Sequence, residues 1–318
     1  MGRVEGMGRV SRADLMLLVT VCLWGFNVTV TKYVLTHGFR PLAYSAVRYG
    51  GAALLFSALT YQHERSLGVR RRDLPLLLGA AAVGIWLNQL SFMYAVKLTT
   101  ATTVGLVLGT IPIFTALIAR AVGIERLSRR FWAASVVSFA GVALVAAGSG
   151  GGVSGDLAGD LLAVATSATW AAYSVSISPL MRTYSPYQIS AFALAVGWLP
   201  LTATGASQLA GQDWGAVGWL GWLSLAFAML GPLVLTNVLW FTAIDEVGPS
   251  RATLFANLQP FVAAIFALAI LSERITPLQI LGGVAIGIGI VLSRGRRPEP
   301  AAAEVEEERV PATKAAAR

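Results

Sequence analysis

Charge is scarce in this chain. Only 13% of its 318 residues are Asp, Glu, Lys or Arg, 56% are hydrophobic and the mean hydropathy is +0.67. That is too little polar surface to coat a soluble globule of this size, so lipid must solvate most of the exterior. Cysteine is nearly absent: the single Cys22 rules out an intrachain disulfide and reads as a packing residue. Histidine is limited to His37 and His63, both in predicted loops, and no Asp or Glu falls near the middle of an apolar run; Asp14, Asp160 and Asp245 sit at the ends of such runs. An intramembrane enzyme needs a nucleophile, a metal or an acid-base cluster within its spans, so the chain reads as no enzyme, with no catalytic residue, no metal ligand set and no cofactor. A GxxxxGK[ST] phosphate loop is also missing, which excludes direct ATP hydrolysis. The formal charge is +8, yet the basic residues lie between apolar runs and near the C-terminus rather than in one patch, which argues against a nucleic-acid partner.

What the chain does have is long apolar runs, and it has them twice over. Stretches long enough to cross about 30 Å of hydrocarbon fall at 14–36, 41–61, 74–96, 100–122, 131–148, 157–179, 187–206, 217–242, 248–271 and 276–294. A shift of 148 positions lays Ala95 on Ala243, Leu106 on Leu254, Pro112 on Pro260, Glu125 on Glu273, Arg126 on Arg274 and Gly141 on Gly289. A shift of 146 lays Asp14-Leu15 on Asp160-Leu161 and Trp24 on Trp170. The expected architecture is an all-α integral membrane protein of ten transmembrane helices in two five-helix repeats, residues 14–148 and 157–294. Residues 1–13 form a cytoplasmic N-terminus, and 295–318, poor in large apolar residues and rich in Ala, Glu and Pro, a disordered cytoplasmic tail. Arginines cluster before the first span and after the second, fourth and tenth, whereas loops 149–156 and 207–216 carry no basic residue and the other opposite-side loops offer only Lys32, Arg40, Lys97 and Arg274. The positive-inside rule then puts both termini in the cytoplasm of a multi-pass cell-membrane protein. Five is an odd number, so the repeats must be inverted relative to each other. The first apolar run is too long for a signal peptide and has no small-x-small cleavage site, so a retained helix is expected.

Several residues now carry a family resemblance. Leu23-Trp24-Gly25-Phe26-Asn27, Lys32, Arg48 in the second span, Tyr94-Ala95, the Pro112 and Pro260 helices, the repeated Glu-Arg turn and the glycines of the fifth and tenth spans together resemble the EamA family of the drug/metabolite transporter superfamily, over residues 14–297. The resemblance implies a secondary transporter of small organic metabolites, often an exporter of amino acids or related amphipathic solutes. Sugars, nucleosides or cationic drugs remain alternative cargo, and a membrane interaction or sensory protein a different class. Without a buried titratable group, facilitated diffusion is the simpler mechanism, with Asp245 the one weak candidate for a proton site.

The residues themselves point to a site. Amide side chains deep in the spans both donate and accept, which suits a zwitterionic or polyhydroxy solute: Asn27, Asn88, Gln89, Asn237, Asn257 and Gln259. Trp24, Trp86, Tyr94, Tyr173, Trp240 and Trp170 can wall a central cavity. The alternative for each amide is an interhelical hydrogen bond, and for each aromatic plain packing. Pro112 and Pro260, read as lying well inside their spans, should kink them and free the carbonyls of Leu108 and Ala256, making hinges or site walls. Arg48 could hold a substrate carboxylate, yet it lies near enough to an interface to snorkel. Families resembling this chain often carry an arginine there whatever their cargo, so a structural or gating role is assigned. The Glu125-Arg126 and Glu273-Arg274 pairs read as end caps or interfacial ion pairs. Gly283-x-x-x-Gly287 and Ala285-x-x-x-Gly289 predict close helix packing, within the chain or between protomers, and the oligomeric state is left open.

Overall fold

The structure, a computed structural model, describes residues 11–66, 68–123, 128–148, 156–247 and 255–293. Among the described residues it is helical, with no strand. The first half comprises α1 (Arg12–Thr36), α2 (Pro41–Glu64), α3 (Leu74–Ala81), α4 (Asn88–Leu98), α5 (Ala101–Leu108), α6 (Ile111–Ala121) and α7 (Arg129–Gly148). The second comprises α8 (Asp156–Ile177), α9 (Pro186–Thr204), the short α10 (Ala206–Ala210), α11 (Trp219–Met229), α12 (Thr236–Val247), α13 (Gln259–Leu271) and α14 (Pro277–Ser293). Each predicted apolar stretch coincides with a helix or a broken helix, the ninth from residue 255 onward.

Local chemistry sets the helix ends. Ser11 and Asp14 form a reciprocal capping box at the start of α1, Ser185 Oγ accepts from Gln188 N at 3.1 Å at the start of α9, and prolines open α2 and α9 where a missing N–H costs nothing. Among the described residues five helices are long and apolar enough to cross a membrane: 12–36, 41–64, 71–98, 129–148 and 219–240; the α5–α6 pair makes a sixth when taken as one span bent by 42°. Helix α8 is less apolar because it carries Thr166, Ser167, Thr169 and Ser174. These hydroxyls bond back to carbonyls three or four residues earlier, at 2.8–3.3 Å, which hides much of their polarity. Outside, Leu54, Val136, Ile265 and Val291 are 63–74% exposed, an apolar exterior that lipid rather than water can solvate.

The repeat recurs in the backbone. Six-residue π turns at Ala82–Leu87 and Leu230–Leu235 join α3 to α4 and α11 to α12, and their first residues are 148 positions apart. The starts of α6 and α13 (111 and 259), and of α7 and α14 (129 and 277), are separated by the same interval. The halves interleave: α2 packs on α9, α7 on α14, α1 on α12 and α13, and α8 on α4, α5 and α6.

Two expectations need correction. Pro112 and Pro260 are not mid-helix kinks: each lies in the first turn of a new helix, α6 or α13, where its ring displaces no hydrogen bond. The first chain break comes earlier, at Gly109-Thr110, where Gly109 N and Thr110 N donate to Leu106 O and Val107 O at 3.1 and 2.9 Å. The glycines of α14 divide between two faces. A Cβ on Gly289 would lie 1.9 Å from Ser138 Oγ and one on Gly282 2.5 Å from Gly141 O, so Gly282, Ala285 and Gly289 pack against α7 within the chain. Gly283 and Gly287 face Leu106 and Phe261 instead, at 3.1 and 3.6 Å.

Candidate functional site

Three helices, α1, α2 and α4, meet around Arg48. It stands about 10 Å along α2 from its start, counted at 1.5 Å per residue, and is 2% exposed. The guanidinium donates through Nη1 to Asn27 Oδ1 on α1 at 3.3 Å and through Nη2 to Gln89 Oε1 on α4 at 2.9 Å. Its Cζ lies 5.2 Å from the Tyr44 ring centre and 5.1 Å from that of Tyr49. The same Gln89 oxygen accepts from Ser45 Oγ at 3.1 Å, and Gln89 Nε2 donates to Asn88 Oδ1 at 3.4 Å. Asn88 Nδ2 then donates to Thr166 O and Thr169 Oγ1 of α8, at 2.9 and 3.1 Å. A continuous polar chain thus runs from α1 through α2 and α4 into the second half. Arg48 therefore does not snorkel: its charged head is held inside the bundle by amides and aromatic faces.

That arrangement is expensive. Burying an unpaired ion costs several kcal/mol after relaxation, and two cation–π contacts return about 1–2 kcal/mol each at best. Among the described residues no carboxylate is found paired with Arg48; an ion pair joins Arg72 and Asp73, at 3.6 Å on the surface. Arg48 Nε and Tyr44 Oη are buried and neither forms a well-aligned hydrogen bond, although the Tyr44 hydroxyl faces both Arg48 and Thr31.

Other candidate residues form separate groups. Trp24 Nε1 donates to Thr236 Oγ1 at 3.0 Å, and its ring lies 5.2 Å from Trp240, so α1 joins α12 much as α4 joins α8. Asn237 turns back on its own helix, donating to Leu233 O at 2.5 Å. Tyr173 is buried against Gly84 in the first π turn, where any Cβ would meet its ring at 2.2 Å, and its ring lies 5.5 Å from that of Trp170 at a 45° tilt. Trp86 and Tyr94 are engaged on another face: Trp86 Nε1 donates to Thr204 Oγ1 at 3.0 Å, and Tyr94 Oη accepts from Gln208 Nε2 at 2.9 Å. Tyr94, Ser91, Thr204 and Gln208 line an open groove of about 530 Å³ beside α4, α9 and α10. Asn257 lies in the turn before α13, and Gln259 begins that helix, next to the buried Pro260.

One end of the bundle is tightly tied. Lys32 is not a loop residue: it lies in α1, and its Nζ donates to Val96 O and Thr99 O at 2.8 and 2.6 Å. Thr99 Oγ1 in turn donates at 2.8 Å to Asp160, a carboxylate only 5% exposed. Glu273, from the turn between α13 and α14, accepts from Ala101 N, Thr102 N and Thr102 Oγ1 at 2.9, 2.9 and 2.8 Å. It is an end cap, as expected, but of a helix in the other half. Arg48's aromatic neighbours, the hydroxyls Thr166, Thr169 and Thr236, and the end contacts of Lys32 and Asp160 had no signal in single residues; the helical spacing of Tyr44 to Arg48 was available.

Residues 11–147 and 157–295 each match the EamA-like transporter family. The chain belongs to that family. Its relatives include the uncharacterized transporter YyaM of Bacillus subtilis, 24% identical over 285 residues, 88% of this chain and 93% of that one. A protein named as a probable terminal-alkyne amino-acid exporter, from Streptantibioticus cattleyicolor, is 27% identical over 91% of this chain and 95% of its own. The inner membrane transporter YedA of Escherichia coli K12 is 26% identical over 90% and 92%. A solved crystal structure shares the fold, with a TM-score of 0.64 over 91% of this chain and 100% of that chain at 18% identity. This EamA-like protein is thus a member of a transporter family and not an enzyme, with a small-molecule cargo and a membrane setting.

Proposed function

We propose that this EamA-like protein is a secondary carrier that exports amino acids or related amphipathic solutes across the cell membrane by alternating access, with ten spans in two inverted repeats and both termini cytoplasmic. The observation that carries the reading is the buried polar chain Asn27–Arg48–Gln89–Asn88–Thr166 crossing from one repeat to the other. Buried polar groups in a membrane bundle are costly and mark a transport path. The packing supports a two-fold relation between the repeats, and the odd number of spans proposed for each makes it an inversion: exchanging the halves turns the α1–α13 contact into α8 with α5–α6 and the α4–α8 contact into α12–α1, while α2–α9 and α7–α14 map onto themselves. Two-fold symmetry has this property. Export of amino acids is supported by the printed name of the S. cattleyicolor relative. An uncompensated guanidinium in the path disfavours cationic drugs.

Purified protein in liposomes preloaded with a mixture of neutral amino acids should exchange radiolabelled leucine or phenylalanine, with saturation and trans-stimulation. Absence of counterflow across that panel rejects the carrier reading for this cargo class.

A further inference from the structure

Against the structural or gating role expected from the sequence, we infer that Arg48 is the receiving point for a carboxylate on the cargo, which makes the carrier selective for α-amino acids and kindred carboxylates over the corresponding amines, amides and polyols. This rests on the carrier reading above. Of the guanidinium's five N–H donors, one on Nη1 and one on Nη2 are held by amide oxygens, while Nε–H is buried with no acceptor. The donor left over is Nε–H, which together with the neighbouring terminal N–H forms the paired edge that matches the two oxygens of a carboxylate. Tyr44 stands one helical turn before Arg48, with its ring against the guanidinium, and its buried hydroxyl faces both Arg48 and Thr31 of α1 without a well-aligned hydrogen bond to either. It supplies a further donor to the same anion. The guanidinium Nε, the Tyr44 hydroxyl and the Thr31 hydroxyl are thus buried close together on adjoining stripes of α1 and α2 with their hydrogen bonds poorly made, an arrangement that costs stability until something polar arrives. The cation is enclosed in this arrangement, so the carboxylate reaches it when the surrounding helices part, as alternating access requires.

The test compares leucine and phenylalanine with their amides and with isoamylamine and phenethylamine as competitors of counterflow in proteoliposomes. The unmodified protein should prefer each amino acid to its amide and amine by at least ~10-fold, the loss of one charge-assisted hydrogen bond. Arg48→Gln should collapse that preference to about unity, and Arg48→Lys, which keeps the charge without the paired donors, should retain only part of it. A structural arginine would change the rate for all solutes together and leave the ratio alone. Equal competition by amides and amines in the unmodified protein overturns the inference while leaving the carrier intact; so does an unchanged ratio in Arg48→Gln. No counterflow of any amino acid overturns both. Where Arg48→Gln fails to fold, the ratio in the unmodified protein and in Arg48→Lys decides.

Discussion

Replacing Glu273 with Gln should unlatch one end of the bundle. The carboxylate satisfies the first two orphan N–H groups of α5, at Ala101 and Thr102, and the Thr102 hydroxyl, while Thr100 Oγ accepts from Thr103 N at 3.0 Å; together they complete the cap. Because Glu273 belongs to the second half and α5 to the first, parting the halves at this end breaks all three bonds. Gln keeps one acceptor oxygen and turns an NH₂ toward donors, so at least one bond is lost and the rest become neutral, about half as strong. For a half-buried group the net loss is about 2 kcal/mol. That corresponds to a ~30-fold shift of the closed-to-open ratio. The readout exploits the single native cysteine: in a Cys22→Ala background, Ala101→Cys places a thiol at a position that is 0% exposed, so maleimide labelling follows the open fraction. Labelling should accelerate ~30-fold in Glu273→Gln. A rate within about twofold of the parent would mean the latch is worth less than ~0.4 kcal/mol, and the assignment of this contact to a gate would fail.

The helix packing yields a contrast: Gly141→Ala puts a Cβ 2.6 Å from Gly282 O and should lower the detergent melting stability by about 1–3 kcal/mol, while Gly287→Ala, with Phe261 at 3.6 Å, should be neutral or slightly stabilising. Asn88→Ala removes both bonds to α8 and unseats Gln89; it should cost about 1–3 kcal/mol in denaturant unfolding and depress counterflow while membrane expression persists. Thr236→Val leaves Trp24 Nε1 without its acceptor and should cost about 1 kcal/mol, seen as a shift in tryptophan emission on unfolding. Pro112→Ala should leave expression intact and slow exchange, because the helix start at Ile111 loses its preset φ beside the 42° bend.

Much of the architecture was legible because membrane helices announce themselves by length and composition, and because a duplication can be found by shifting the chain against itself. The 148-residue interval between Pro112 and Pro260 is the one that separates the π turns and the starts of α6 and α13. The turns themselves were not legible: AVGIWL and LGPLVL share little, and the extra residue in each turn follows from what it packs against, such as Tyr173 over Gly84. Of the candidate residues, Asn27, Gln89 and Asn88 join one hydrogen-bonded chain because Arg48 bridges α1 and α4. Trp86 and Tyr94 were grouped with them by residue type alone, and helix rotation carries them to another face. The end contacts of Lys32 and Asp160, and the helix that Glu273 caps, escaped notice because pairing across many tens of residues leaves no local periodicity.

The repeats match in frame and differ in charge, and the difference falls at the site. Under shifts of 145 to 148 Arg48 is replaced in the second half by Ala193, Leu194, Ala195 or Val196, all apolar, and Asn27 under 146 by Tyr173. Asn88 and Gln89 become Thr236 and Asn237 under 148, with Thr236 receiving Trp24 where Asn88 reaches Thr166. A frame that must pass between two mirrored states needs equal elements on both sides, which the π turns, helix breaks and glycine contacts provide. A binding point needs the opposite. One solute with one carboxylate requires a single cation near the axis, and a second arginine at the paired position would hold a second anion or repel the first. The single, uncompensated Arg48 is what a symmetric carrier of a small asymmetric solute should contain.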